Sequence, residues 1–287
     1  MPLRGFWPGK IPNSKERRAI LLIFSNGIGE MKNKDQQLFH FRDFSLSQAN
    51  CAMRIGTDGV LLGAWTARCC QHQSGYILDV GCGCGLIGMM LATTWPYAQI
   101  AGIEIDPRAA MTAKRNAQNS SCHSRVRIFQ GDILNPPTEL TSRRYELIVS
   151  NPPYFNDSLK SPLHERNMAR HQGEGFSLGD LFQCVKPLLS EGGRIALVSP
   201  SDRLEQLRIS AVKTRLRLVR LCHVRTVEGK EPKRVLSLWQ DTHTELQSEE
   251  IKIEELSIQS ARGQYTPSYQ ALTENFYLPE LFTRRYQ

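Results

Sequence analysis

Tyr76-Ile77-Leu78-Asp79-Val80-Gly81-Cys82-Gly83-Cys84-Gly85 joins an apolar run to a loop in which every second residue is glycine. A short apolar run bounded by glycine reads as a buried strand. Leu86–Thr94, apolar and stopped by Trp95-Pro96, reads as the helix that follows. Strand, loop and helix alternate onward in the way that builds a parallel sheet. Gln99–Ile105 is the second expected strand, and Pro107 suits the first turn of a helix running to about Gln118. Val126–Gln130 and Glu146–Ser150 follow as strands. Then come a helix over Gly179–Leu189, a Gly192-Gly193 turn, a strand over Arg194–Ser199 and a helix over Asp202–Thr214. Leu218–Val224 and Val235–Trp239 close the pattern. The expected fold is α/β, a mostly parallel seven-stranded sheet flanked by helices. Residues 36–287 read as a single domain without internal repeats. Residues 1–35 read as an extension outside it, disordered or preceding the true start, with Met31 as a later initiator.

The glycine loop narrows the ligand. In an open α/β sheet, ligands bind beyond the carboxyl ends of the strands, and glycine lets the backbone approach them closely. Dinucleotide binders use G-x-G-x-x-G to seat a pyrophosphate. Gly81, Gly83 and Gly85 follow G-x-G-x-G instead, which better suits a ligand without phosphates, such as S-adenosylmethionine; a plain structural turn is the alternative. Glu104 closes the second strand about 20 residues on, where a carboxylate can accept both ribose hydroxyls. Asp106 competes for that role, but Pro107 beside it marks Asp106 as a helix cap. Asp132, in Gln130-Gly131-Asp132-Ile133, can accept from an exocyclic amine or simply serve a turn.

The sharpest motif is Asn151-Pro152-Pro153-Tyr154, at the end of the fourth strand. An amine on a heteroaromatic ring is a poor nucleophile because its lone pair is delocalised. The Asn151 side-chain carbonyl and the Pro152 backbone carbonyl can accept its two N–H groups together and push the nitrogen toward tetrahedral geometry. Two prolines stiffen the turn, so the acceptors are preorganised. Tyr154 can stack on the flipped ring, a contact worth ~1–3 kcal/mol per base.

With these residues the chain resembles a class I S-adenosylmethionine-dependent methyltransferase of the N6-adenine/N5-glutamine type, with its Rossmann-like sheet. Cys51-Ala52-Met53-Arg54-Ile55-Gly56-Thr57-Asp58-Gly59-Val60-Leu61-Leu62-Gly63-Ala64-Trp65 is similar to the N-terminal signature of the bacterial tRNA(Val) adenine-N6 methyltransferases, which modify nucleotide 37. Pro232–Leu236 and Tyr265–Leu278 also resemble that family, so the likeness spans about Phe39 to Leu278. It implies that Asp79, Gly81, Gly83, Glu104 and Asp132 bind the cofactor and that Asn151 and Tyr154 hold the base. Thr57 and Asp58 would shape the mouth of the cofactor pocket, or cap a helix. The implied substrate is the anticodon stem-loop of a valine tRNA.

Composition agrees with a polyanionic partner. Lys and Arg number 36 against 28 Asp and Glu, a net charge of +8, which favours RNA or DNA. Arg203, Arg208, Lys213, Arg215, Arg217, Arg220, Arg225, Lys230, Lys233 and Arg234 face only Glu205, Glu228 and Glu231 over that span. A solvated surface explains such a run equally well. Arg166, Arg170, Lys233 and Arg234 are the candidate RNA contacts. Eight cysteines dispersed through a long chain read as reduced thiols, and none has a partner pair at zinc-ligand spacing. Lys15–Phe24 has a basic start and an apolar follow-on, but the run is short and no cleavage site follows. No run approaches the ~18 apolar residues of a membrane span. The expectation is a cytoplasmic enzyme with no metal, no membrane association and no obligate protein partner. Methylation of a protein glutamine uses the same four-residue motif and remains the alternative. Guanine-N2 methylation of ribosomal RNA is less favoured by Tyr154, and a catalytically dead RNA-binding scaffold is disfavoured by the intact Asn151.

Overall fold

The structure, a computed structural model, describes residues 38–70, 74–152, 178–242 and 250–283. The expected extension over residues 1–35 lies outside the described residues. In chain order the strands are β1 (Leu38–His40), β2 (Ser45–Ser47), β3 (Ser74–Val80), β4 (Tyr97–Glu104), β5 (Val126–Gln130), β6 (Tyr145–Ser150), β7 (Leu189–Pro200), β8 (Leu216–Val227), β9 (Arg234–Asp241) and β10 (Lys252–Gln259). The helices are α1 (Thr57–Cys69), α2 (Leu86–Thr94), α3 (Pro107–Gln118), α4 (Thr138–Thr141), α5 (Leu178–Val185), α6 (Leu204–Lys213), α7 (Pro267–Thr273) and α8 (Glu280–Thr283). β1 and β2 pair as a hairpin. The other eight form one sheet, ordered β10-β8-β9-β7-β6-β3-β4-β5, in which β9 runs antiparallel to both its neighbours.

The central strands are predominantly apolar because both sheet faces are covered. Ile77, Val149 and Leu236 pack with Leu61, Trp65 and Met90 of the α1–α2 layer. Their neighbours Leu78 and Ile148 point the other way, toward Phe182 of α5 and Leu207 of α6. On that second face Trp239 meets the Phe182 ring edge-on, with centroids 5.2 Å apart.

The sheet has eight strands rather than the expected seven. The additional one, β10, reads poorly in sequence because it fully buries only Leu256 and leaves its other side chains exposed or half-buried. Its adjacent glutamates are anchored across the fold. Glu254 accepts from Trp65 Nε1 at 3.3 Å, from Arg68 at 2.7 Å and from Arg220 at 3.1 Å. Glu255 takes a two-pronged bond from Arg225, at 2.8 and 3.1 Å.

Two of the boundary differences from the sequence pattern have local causes. The helix expected over Gly179–Leu189 ends as α5 at Val185, and a 3-10 turn over Lys186–Leu188 holds Pro187, whose ring cannot continue an α-helix. Gly192-Gly193, expected as a turn, sits inside β7. There the pairing jumps from Tyr145–Leu189 to Leu147–Arg194, which makes a bulge. Gly192 has φ +68°, and a Cβ on Gly193 would lie 2.8 Å from the Ser190 carbonyl. Among the described residues no helix is long and apolar enough to cross a membrane.

Candidate active site

From β3 the chain builds outward through β4 and β5, then returns to place β6 on the other side of β3. Loops leaving two such strands diverge and open a crevice at their carboxyl ends. The glycine loop follows β3 and Asn151-Pro152 follows β6. Val80 pairs with Ser150, so the two loops leave the sheet at one level. Ser150 Oγ donates to the Val80 carbonyl at 2.8 Å within the interior and ties the two strand ends together.

The glycine spacing has a backbone cause. Gly81, Gly83 and Gly85 have φ of +67°, +57° and +89°, a region that other L-residues rarely enter. A Cβ on Gly81 or Gly83 would meet nothing within 4 Å, so this backbone lines open space. The amides of Gly81 and Cys82 donate to the Ile103 carbonyl at 2.9 and 3.1 Å, which binds the loop to β4. Cys82 and Cys84 are buried between the glycines, and all eight cysteines are free thiols.

Two carboxylates flank this loop. Glu104 Oε2 accepts from Gly83 N at 2.8 Å, and Oε1 accepts from Asp106 N at 2.9 Å. Each carboxylate oxygen has a second lone pair, so both can still take a hydroxyl. Asp106 is the cap of α3, accepting from Arg108 N at 2.9 Å with Pro107 in the first turn. Asp79 is 1% exposed; its Oδ2 accepts from Gly88 N at 2.8 Å. Its Oδ1 is buried without a hydrogen-bond partner among the described residues. Burial raises the Asp79 carboxyl from 3.8 to about 7, against the Gly88 amide, which favours the charge, and with help from the nearby Glu104 charge.

An orphaned carboxylate oxygen, an open glycine cradle and a carboxylate beside it suit a ligand with a ribose diol and positive charge. S-adenosylmethionine has both. Glu104 would hold its ribose, and the backbone of Gly81 and Gly83 would line its path. A raised Asp79 has a consequence for pH. Its neutral form is favoured in the folded protein, so its contribution to stability is complete below about pH 4 and is lost as pH rises through about 7. The free protein should therefore lose melting temperature between pH 5 and 7.5 relative to Asp79→Asn. Saturating S-adenosylmethionine, whose positive charge favours the carboxylate, should narrow that difference. Parallel pH profiles for the two proteins, followed by circular dichroism, would contradict this.

Other expected residues take defined places. Asp132 Oδ1 accepts from Leu134 N at 2.9 Å, a turn contact just beyond β5. Gly56, and neither Thr57 nor Asp58, occupies the cap position of α1. Asp58 Oδ2 accepts from Arg234 Nε at 2.9 Å, which joins a residue expected at the cofactor to one expected at RNA. Lys233 is exposed just before β9. Pro152 is buried. Tyr154, Arg166 and Arg170 lie outside the described residues. Among the described residues no group of His, Cys, Asp and Glu could hold a metal ion.

Sequence reading missed two supports of the site. A Cβ on Gly59 would come within 3.0 Å of Leu86 and 3.7 Å of Asn151 Nδ2, so α1 passes close to both loops. The available signal was Gly59 and Gly63 spaced four apart in an otherwise apolar helix. Asn116 stands on the buried Ala109/Ala113/Ala117 face of α3. Its amide donates to the carbonyls of Cys84 and Ser47, at 2.8 and 2.9 Å, and accepts from Ser47 N at 2.9 Å. It thereby fastens the segment ahead of α1 to the glycine loop. A polar residue repeating at the spacing of a buried face was the signal there.

Comparison with known proteins agrees with this fold. Residues 59–203 match the family model described as Methyltransferase small domain. Two solved structures share the fold at low identity. A predicted O-methyltransferase from Agrobacterium tumefaciens is 15% identical with a TM-score of 0.57, covering 76% of this chain and 96% of that one. P. horikoshii TYW2 in complex with MeSAdo is 11% identical with a TM-score of 0.51, covering 71% and 70%. Three curated relatives are named tRNA1(Val) (adenine(37)-N6)-methyltransferase. The Porphyromonas gingivalis (ATCC 33277) protein is 46% identical over 246 residues, covering 84% of this chain and 94% of that protein. Those of Bacteroides thetaiotaomicron and Yersinia enterocolitica are 38% and 35% identical, with 84% and 88% of this chain and 97% and 98% of theirs covered. At such identity over nearly the whole of each relative, the chain belongs to the tRNA1(Val) (adenine(37)-N6)-methyltransferase family.

Proposed function

We propose that the protein transfers the methyl group of S-adenosylmethionine to the N6 amine of adenine 37 in a valine tRNA, in the cytoplasm. The observation that carries this reading is the pairing of Val80 with Ser150, which sets Asn151-Pro152 beside the glycine loop. When bound, S-adenosylmethionine supplies an electrophilic methyl on its sulfonium. Asn151 Oδ1 and the Pro152 carbonyl accept the two N–H groups of the adenine amine and draw its lone pair out of the ring. Burial of Pro152 and the Ser150–Val80 bond hold these acceptors still, so little reorganisation remains at the moment of reaction. Methylation makes the amine strongly acidic, and its proton can leave along the Asn151 hydrogen bond to water without a dedicated base. Tyr154 supplies the stacking face for the flipped ring.

Topology supports one choice of RNA surface. β8 is 12 residues long, roughly 40 Å at ~3.3 Å per residue. Lys213, Arg215 and Arg217 stand at its start, on the edge away from the site. Lys230 and Lys233 are exposed in the turn between β8 and β9, on the site edge, where Ser201 Oγ donates to the Pro232 carbonyl at 2.7 Å. The bases that flank β8 are thus split between the two edges, while Arg220 and Arg225 within it pair with Glu254 and Glu255. Lys230→Ala/Lys233→Ala should weaken tRNA binding and flatten its salt dependence by about one to two phosphate contacts. Lys213→Ala/Arg215→Ala should leave both unchanged; equal losses in filter binding would refute the assignment. Arg166 and Arg170 complete the proposed contact set.

The decisive assay is methyl transfer to unmodified valine tRNA, followed by nucleoside mass spectrometry. N6-methyladenosine at position 37 supports the reading. Cofactor binding without a tRNA product would move the assignment to a protein glutamine.

A further inference from the structure

We propose that the Asp58–Arg234 ion pair is a positioning latch that holds the first turn of α1 against Asn151, and so sets turnover rather than affinity. This inference rests on the methyltransferase reading of the same site. Asp58 is the second residue of α1 and Arg234 the first of β9, 176 residues apart in sequence. β9 begins at the carboxyl edge of the sheet, where Arg234 pairs in register with Pro200 of β7 and Val224 of β8. The guanidinium therefore projects from a sheet position fixed on both sides. Its Nε donates to Asp58 Oδ2 at 2.9 Å, with both side chains about one-third exposed.

What the pair holds is the wall of the site. Gly56 caps α1 without a side-chain hydrogen bond, so nothing from the cap residue's own side chain anchors this end. The residue after Asp58 is Gly59, whose missing side chain lets the helix pass beside Asn151 Nδ2 and Leu86. Leu86 is the first residue of α2, directly after the glycine loop. One turn of helix therefore touches the amine acceptor and the helix that carries the cofactor loop. An outward shift of that turn would remove the wall beside the Asn151 amide and loosen the aim of its carbonyl at the substrate amine. A displacement of about 1 Å near reacting groups can cost 10²-fold in rate. Arg234 is thus a positioning residue for Asn151, distinct from the exposed Lys233 beside it.

The test uses Asp58→Asn, Arg234→Gln, Arg234→Lys and the double variant Asp58→Asn/Arg234→Gln in the full chain. Each neutralising single variant should lower kcat about 10–100-fold, while Kd for tRNA and for S-adenosylmethionine stays within about twofold. The double variant should be no slower than the slower single, because both remove one interaction. Arg234→Lys, which keeps the charge, should recover part of the rate. Weaker tRNA binding with normal kcat in Arg234→Gln would overturn the latch in favour of a phosphate contact. Weaker cofactor binding in Asp58→Asn, or rate losses that multiply in the double variant, would also overturn it. A readout independent of substrate keeps this separate from the choice of RNA. The Asn151 side-chain amide resonance, assigned by its loss in Asn151→Ala, should shift in both single variants. An unmoved resonance sinks the latch whatever the enzyme methylates.

Discussion

Asn151→Ala will bind S-adenosylmethionine as the wild type does and lose about 10²–10³-fold in turnover, the scale seen when one preorganised hydrogen-bonding group is removed from a transition state. The separation of the two effects follows from where the residue sits. Asn151 leaves β6, whereas the cofactor loop leaves β3, and the Ser150–Val80 hydrogen bond ties the adjoining strand ends together. Alanine keeps the Pro152 carbonyl as one acceptor and removes the other. The amine then stays conjugated with its ring, so the loss falls on kcat more than on KM for tRNA. Asn151→Asp keeps an acceptor and should retain more activity than alanine. Calorimetry of cofactor binding beside single-turnover methyl transfer measures both quantities. Normal turnover in Asn151→Ala would remove the amine-acceptor role altogether.

Glu104→Ala should have the complementary signature, with cofactor affinity falling roughly 100-fold or more. Hydrogen bonds to a charged group are worth about 1.5–3 kcal/mol each, and two ribose hydroxyls are at stake. A second contribution comes from the loop itself, since Glu104 also receives the amides of Gly83 and Asp106. Without it the Gly83 amide loses its acceptor, and the cradle loses the contact that fixes its middle. Glu104→Gln keeps an acceptor for one hydroxyl and should lie between wild type and alanine. Because the side chain is only half-buried at the end of β4, the fold should survive, with kcat at saturating cofactor reduced far less than affinity. An unchanged dissociation constant in Glu104→Ala would reassign the ribose to another group.

Much of the architecture was written in local patterns. The mostly apolar runs over residues 76–80 and 146–150 became central strands because a strand covered on both faces must be largely apolar, and Val126–Gln130 became the half-exposed edge strand β5. Asp106-Pro107 started α3 as a cap and first-turn proline should. The glycine loop and Asn151-Pro152 were legible because their chemistry depends on backbone conformation and a fixed turn, both encoded over a few residues. Glycine at three left-handed positions announces itself in any context.

Pairings between distant residues were decided only by the tertiary structure. β10 carries Glu254 and Glu255 where a strand pattern wants apolar residues, and their bonds to Trp65, Arg68, Arg220 and Arg225 join the β8 ladder in holding this eighth strand. The basic run over residues 203–234 is continuous in sequence, yet β8 carries Arg215 and Lys230, which flank it, to opposite edges of the sheet. Asp58 and Arg234 each looked like a ligand contact on its own, and the fold joins them to each other. Asp79 is an ordinary carboxylate until burial beneath the loop raises it to about 7. Local sequence sets backbone conformation and apolar periodicity over a few residues. Which charge meets which, and how much water each keeps, depends on atoms hundreds of residues away, and that is settled only when the sheet closes.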